Sequence, residues 1–306
     1  MHAIHKPSNV DVSKFTFSDT QVNQYGGKSC KVKYDGEDFM FQTPRMRLPY
    51  GLGRYEEKDG DGNVIKTKYS LDYSFSGYEL NDDGDAGKPK VRSLFNMMEG
   101  LDKLLIKKTV ENSYSWLGAD DLNESAAKVL TREIIKWPRD KKTKKITDKY
   151  APTFKAKMGF YDNRFTVNAF DAAKEPISSD DLPSKCPKGT EAVSIIKLLG
   201  LTFAGGKCGY SFRVYQIKLF MPARLPSYAF QDDSDDDEPV EVTPPEAPKT
   251  VKEDPKPQLV DDSDEDTEED EDDLDLDDES EEEEEVKAPV PKKKKVTRKK
   301  STKKKN

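Results

Sequence analysis

Aromatic residues stop at Phe230, and the chain beyond that point lacks the means to fold. Residues 231–306 hold few branched aliphatics and are almost purely acidic, then purely basic. Such a segment buries too little apolar surface to offset the entropy of ordering it, so it is expected to stay disordered. Only residues 1–230 need to fold, and with no Pro/Gly/Ser-rich linker inside them a single domain is expected. Charge changes sign at the same boundaries. Residues 1–230 carry 37 Lys and Arg against 29 Asp and Glu, residues 231–285 carry 3 against 30, and residues 286–306 carry 11 against none. A net charge of −8 therefore conceals a basic body tethered to its own polyanion, and a basic body implies a polyanionic partner.

Within the body, SCKVKYDGEDFMFQ places β-prone runs on both sides of Asp35-Gly36, a hairpin signal. Next, TPRMRLPYGLGRY reads as an irregular basic loop, because Pro44, Pro49, Gly51 and Gly53 interrupt any regular pattern. After the turn at Asp59-Gly60-Asp61-Gly62, a long strand puts Tyr69, Tyr73 and Phe75 on one parity. Val91, Leu94, Phe95, Met98, Leu101, Leu104 and Leu105 keep a helical period, and DLNESAAKVLTREIIKW reads as a second helix that Pro138 ends. Strands return with TFKAKMGF and RFTVNAF, and AVSIIKLLGLTF, AGGKCG and YSFRVYQIKLFM form the clearest hairpin of the chain. Strands, two helices, then strands predict an α+β, mainly β domain built on an antiparallel sheet or small barrel.

Much chemistry is unsupported by these residues. His2 and His5 fall in what reads as a frayed N-terminus, so no histidine is placed as a general base or zinc ligand. GLGRY and AGGKCG match neither phosphate-binding fingerprint, DGDG lacks the further ligands of a calcium loop, and no cofactor is expected. Cys30, Cys186 and Cys208 form no CxxC pair, which fits a reducing compartment. The N-terminal MHAIHKPSNVDVSKF has no signal-peptide core, and no apolar stretch is long enough to span a membrane. A soluble, intracellular, non-enzymatic protein without a membrane partner is expected.

Single-stranded nucleic acid is held by cations that track phosphates and by aromatic faces that stack on bases. Three places supply both. The first is Arg45, Arg47, Tyr50, Arg54 and Tyr55; the second runs from Trp137 and Arg139 through Lys144 and Lys145 to Lys155, Lys157 and Phe160. The third is the final hairpin, with Phe203, Lys207, Tyr210, Phe212 and Arg213, of which about half should be buried core.

TPRMRLPYGLGRY, PKVRSLFNMMEGLDKLL, PTFKAKMGFYDNRFTV and SIIKLLGLTFAGGKCGYSFRVYQIKLF together resemble the single-stranded DNA-binding proteins of nucleocytoplasmic large DNA viruses, the type related to the OB-fold protein of short-tailed coliphages. The resemblance spans most of residues 15–225. It implies an OB-fold-like barrel elaborated by helices, no catalysis, and a setting in viral DNA replication, repair or recombination, in a virus factory, host nucleus or virion. It further implies an acidic tail that competes with DNA and docks replication proteins. The basic terminus departs from the phage pattern, in which the acidic segment ends the chain with an aromatic residue.

Residues 1–230 are thus expected to bind single-stranded DNA, with 231–285 as acidic tail and 286–306 as basic terminus; a homodimer is compatible with the sequence. PKKKKV also resembles a nuclear import signal. The competing reading is an interaction protein of the histone-chaperone or virion-core kind, whose tail binds basic partners. A chaperone body, however, has no need of cations interleaved with aromatics in its strands.

Overall fold

The computed structural model describes residues 3–23, 26–81, 84–140 and 142–222. The expectations for the acidic and basic segments, and for His2, fall outside them. In chain order, β1 (Ile4–His5) precedes two 3-10 turns, then β2 (Phe15–Val22) and β3 (Lys28–Tyr34) form an antiparallel pair. β3 turns through Asp35-Gly36 into β4 (Glu37–Asp38), with Tyr34 opposite Glu37, the predicted hairpin. β5 (Met40–Gln42) and β6 (Met46–Arg47) act as one interrupted strand, and β7 (Leu52–Lys58) and β8 (Val64–Ser74) make a long hairpin. Helices α1 (Pro89–Glu111), α2 (Ser113–Leu117) and α3 (Glu124–Leu130) lead to β9 (Thr131–Arg132) and β10 (Thr153–Met158). The small hairpin β11 (Phe160–Tyr161) and β12 (Arg164–Phe165) is followed by β13 (Asn168–Phe170), β14 (Pro176–Ile177) and α4 (Leu182–Lys185). The chain's longest strands, β15 (Glu191–Ala204) and β16 (Lys207–Phe220), close the domain.

Five junctions form a ring. β6 pairs with β8, β8 with β10, and β15 with both β16 and β6, all antiparallel, while β10 and β16 run parallel. Numbered along the chain as barrel strands one (β5–β6), two (β8), three (β10), four (β15) and five (β16), the order round the ring is one-two-three-five-four. This is an OB-like closed barrel within an α+β, mainly β domain. The two β-rich halves of the sequence therefore share one sheet.

Burial follows the period of each strand. Leu71, Tyr73 and Phe75 alternate into the interior and are fully buried, as are Phe154 and Ala156 on β10. Tyr73 stacks on Phe154 at 4.9 Å, and its hydroxyl shares a 2.7 Å hydrogen bond with the Ser194 hydroxyl, so this polar tip has a partner. α1 packs Leu94, Phe95, Met98, Leu101 and Leu105 onto the core, with Phe95 edge-on to Phe75 at 5.3 Å.

Several expectations are corrected. TPRMRLPYGLGRY is only partly irregular: Met46–Arg47 form a short strand that closes the barrel, with Met46 and Leu48 buried, and from Leu52 the chain belongs to β7, where Gly53 lies opposite Ser70. Its prolines sit between strands, where no ladder donor is needed. The second helix ends at Leu130, seven residues before the predicted boundary, because Thr131 and Arg132 pair with Cys208 and Gly209 of β16. Beyond them, consecutive Ile134 and Ile135 are both buried, and their amides donate to the Asp102 carboxylate at 2.9 and 3.5 Å. α2 and α4 were not anticipated. His5 is not frayed: β1 pairs with β5, and its ring lies 4.9 Å from Tyr34 and 5.5 Å from Phe39.

Candidate nucleic-acid interface

Residues directly opposite in a ladder share a face, so the pairing register maps the outer wall of the barrel. One row runs from Arg47 through Ser74 and Thr153 to Lys136, whose backbone pairs with Thr153. The next sets Asp72 beside Lys155. A third crosses five strands as Gly53, Ser70, Lys157, Arg213 and Lys197. Two further rows on the projecting β7–β8 hairpin pair Tyr55 with Lys68 and Glu57 with Lys66. Adjacent strands are about 4.8 Å apart, so Lys157, Arg213 and Lys197 form a close cationic band.

Local contacts hold this band. Arg213 donates to the Tyr161 hydroxyl at 3.0 Å and lies 5.8 Å from that ring. Tyr69, Phe160 and Phe165 pack mutually at 4.7 to 4.9 Å and seat the β11–β12 hairpin that carries Tyr161. Lys197 bridges Asp38 at 3.2 Å; Lys33 first, and then Lys197, hold the Asp38 carboxyl below its usual range. At the barrel end, Lys136 leads into the turn Asp140–Lys145, where the Asp140 carboxylate accepts from the Lys142 and Thr143 amides, lowering its pKa.

The expected site residues divide by parity. Arg47, Lys155 and Lys157 lie on the wall; Lys144 and Lys145 are exposed on the adjoining turn. Tyr50 is 62% exposed in the turn before β7. Arg54 faces away from Tyr55 and bridges Glu56 at 2.5 Å, which makes Tyr55 the better placed of the two. Arg45 is drawn to the end of β16, bridging Glu191 at 2.6 Å with its guanidinium 4.1 Å from the Phe220 ring centre. Trp137, 36% exposed, points to the other side from Lys136 and sits edge-on to Tyr78 and Phe95.

Phe203, Tyr210 and Phe212 of the last hairpin pack against the core, whereas Tyr215 on β16 is 50% exposed. Phe212 is 3% exposed and cannot stack on a base. The Tyr210 hydroxyl donates to the Leu101 carbonyl of α1 at 3.3 Å, and burial pushes its pKa well up. Phe203 packs on Trp116 at 5.7 Å. Lys207 and Arg213 occupy the opposite parity and face out, which corrects the expectation that cations and aromatics work together on this strand. The signal was readable in K-C-G-Y-S-F-R: cations on odd positions and aromatics on even ones cannot share a face. Lys66, Lys68, Lys136 and Lys197 had no such local signal.

Other chemistry has little purchase. Among the described residues no three His, Cys, Asp or Glu side chains converge as a metal site, and no helix is long and apolar enough to cross a membrane. A groove of about 750 Å³ between β2 and the ends of α1 and α2 includes Asp19, Lys108, Glu111 and Trp116, but none of the wall's cations.

No protein-family model and no curated protein matches the chain. Among solved structures it is similar to the single-stranded DNA-binding protein from bacteriophage Enc34 in complex with ssDNA, at 11% identity and a TM-score of 0.35, over 68% of this chain and 97% of that chain. A second structure of the Enc34 protein matches at 12% identity and 0.34, over 72% and 98%. Its C-terminal truncation matches at 11% and 0.34, over 68% and 95%. At that level neither fold nor function transfers, and what the wall can do has to come from its own residues.

Proposed function

We propose that this chain is a non-catalytic, sequence-tolerant single-stranded DNA-binding protein whose strand lies across the outer wall of barrel strands two and three. The observation that carries the reading is the band of Lys155, Lys157 and Arg213 on two adjacent rows of that wall, continued by Lys68 and Lys136 on the rows to either side. Side chains rising from a curved sheet follow a phosphate backbone without reading base edges, which gives affinity without sequence preference. Tyr50 and Tyr55 flank the band and offer stacking faces, each worth about 1–3 kcal/mol per base, whereas Trp137 turns away from Lys136 onto Tyr78 and Phe95. In the same proposal the acidic segment 231–285, opposite in charge to the wall, competes with DNA and docks replication proteins. Replication, repair or recombination of viral DNA is its setting.

Fluorescence anisotropy of labelled poly-dT against duplex of equal length, at two or more salt concentrations, tests the reading. Preference for poly-dT is expected, with a salt slope of about −0.7 per neutralised phosphate. Equal or tighter binding to duplex, or binding to core histones in place of DNA, refutes it.

A further inference from the structure

The cationic band continues beyond the barrel. Above Arg213, Ser211, Gly209 and Lys207 share its parity on β16, with Ser211 and Gly209 covered, on the half of the hairpin that rises clear of the ring. There the outer row runs Gln21, Ser29, Thr202, Gly209 and Arg132 across five strands. Every member except Arg132 is small or neutral. Gly209 matters here because a Cβ on it would come within 2.9 Å of the Arg132 Cβ and 3.1 Å of its Nε. The arginine therefore lies across the glycine, and its Nη2 donates to the Thr202 hydroxyl at 3.0 Å and to the Thr202 carbonyl at 3.3 Å. A long cationic side chain is thereby pinned along a shallow floor on the same face as Lys157 and Arg213.

Resting on the proposed DNA-binding function, we infer that Arg132 on the Gly209 floor is a second phosphate-contact site, which extends the single-strand path from the barrel wall toward the β15–β16 hairpin tip. A pre-positioned guanidinium loses less conformational freedom on binding than a loose lysine. The glycine beneath it and the threonine beside it keep the guanidinium low on the sheet, where a sugar-phosphate chain that follows the wall can meet it. From Arg213 to Lys207 the strand climbs about 20 Å at about 3.4 Å per residue, a span of about 6 nucleotides at 3.4 Å each. A short oligomer fills the barrel wall alone; a longer one reaches Arg132.

The test compares Arg132→Ala, Gly209→Ala and wild type on dT oligomers of about 6 and about 16 nucleotides, within the range of site sizes of such folds. Lys107→Ala, exposed on α1, is the control for loss of one positive charge. Arg132→Ala should weaken the longer oligomer about 5- to 10-fold, lower its salt slope by about 0.7, and leave the shorter one unchanged. Gly209→Ala should reproduce that loss with no change of charge, because it lifts the arginine off its floor; its thermal midpoint is measured alongside. If Arg132→Ala binds both lengths as wild type does, or loses equally on both, the second site is refuted. If wild type binds neither oligomer, the parent reading falls and this one with it.

Discussion

Replacing Asp102 with Asn should flatten the dependence of stability on pH between about 4 and 7. Asp102 sits on the inner face of α1 and accepts from the amides of Ile134 and Ile135, tying the segment after β9 to the helix. Burial pushes its pKa up from 3.8 to about 7, against the pull of those two amides, with Glu133 and Glu99 adding to the rise. A raised carboxyl pKa means that the folded chain holds a proton which the unfolded chain releases. The resulting stability is present below pH 3.8 and is lost as pH rises through about 7. Three units at 1.36 kcal/mol each amount to about 4 kcal/mol, with a slope approaching about 1.4 kcal/mol per pH unit inside the window. Asp59, Asp140 and Asp38 have lowered pKa values and act below it. Asn mimics the protonated acid, keeping an acceptor for Ile134 and giving up the longer 3.5 Å bond from Ile135, at about 1 kcal/mol or less. Urea unfolding of both proteins at half-unit steps from pH 4.5 to 8 should give curves that nearly coincide at the acid end and diverge steadily from about pH 5 until the gap levels off near pH 7, with Asp102→Asn the more stable. Parallel curves, or a wild type that gains stability as pH rises, would refute the burial argument.

Other substitutions separate the wall from the core. Lys155→Ala with Lys157→Ala should weaken poly-dT binding and reduce the salt slope by about 1.4, measured by anisotropy, with the thermal midpoint unchanged. Phe212→Ala should cost about 3–5 kcal/mol in chemical denaturation, with the DNA affinity of the folded fraction preserved. Tyr210→Phe, which removes only the bond to the Leu101 carbonyl, should cost about 1 kcal/mol and leave DNA binding intact. Since Trp116 is 4% exposed and Trp137 turns away from Lys136 and the wall, poly-dT should leave the tryptophan emission of wild type almost unchanged, and strong quenching would count against the proposed path.

What could be read from the sequence was local. Asp35-Gly36 and Gly205-Gly206 announce their hairpins because two-residue turns of this kind demand positive φ, and those four residues have φ of 53, 85, 56 and 74°. The period of α1 and the shared parity of Tyr69, Tyr73 and Phe75 survive because each is decided within one element. Barrel closure at Met46–Arg47 involves only two residues and partners 27 and more positions away, so prolines and glycines nearby dominated the reading. The same applies to the proposed binding face. Lys155 and Lys157 stand out by density, whereas Lys136 joins the wall only through its pairing with Thr153, and Lys197 only through that with Arg213. Arg132 falls within the helical pattern of DLNESAAKVLTREIIKW, and its place on the sheet depends on a glycine 77 positions later, with which it pairs.

The parallel seam between β10 and β16 has a consequence for biosynthesis. It is pinned by two residue pairs, Lys157 with Arg213 and Met158 with Val214, so the ring cannot shut until the last strand has left the ribosome. Contacts so distant in sequence form late and slow folding. Until then Lys155 and Lys157 flank an unsealed gap, and the curved surface proposed to engage nucleic acid is incomplete. The order of synthesis thus separates making this protein from arming it.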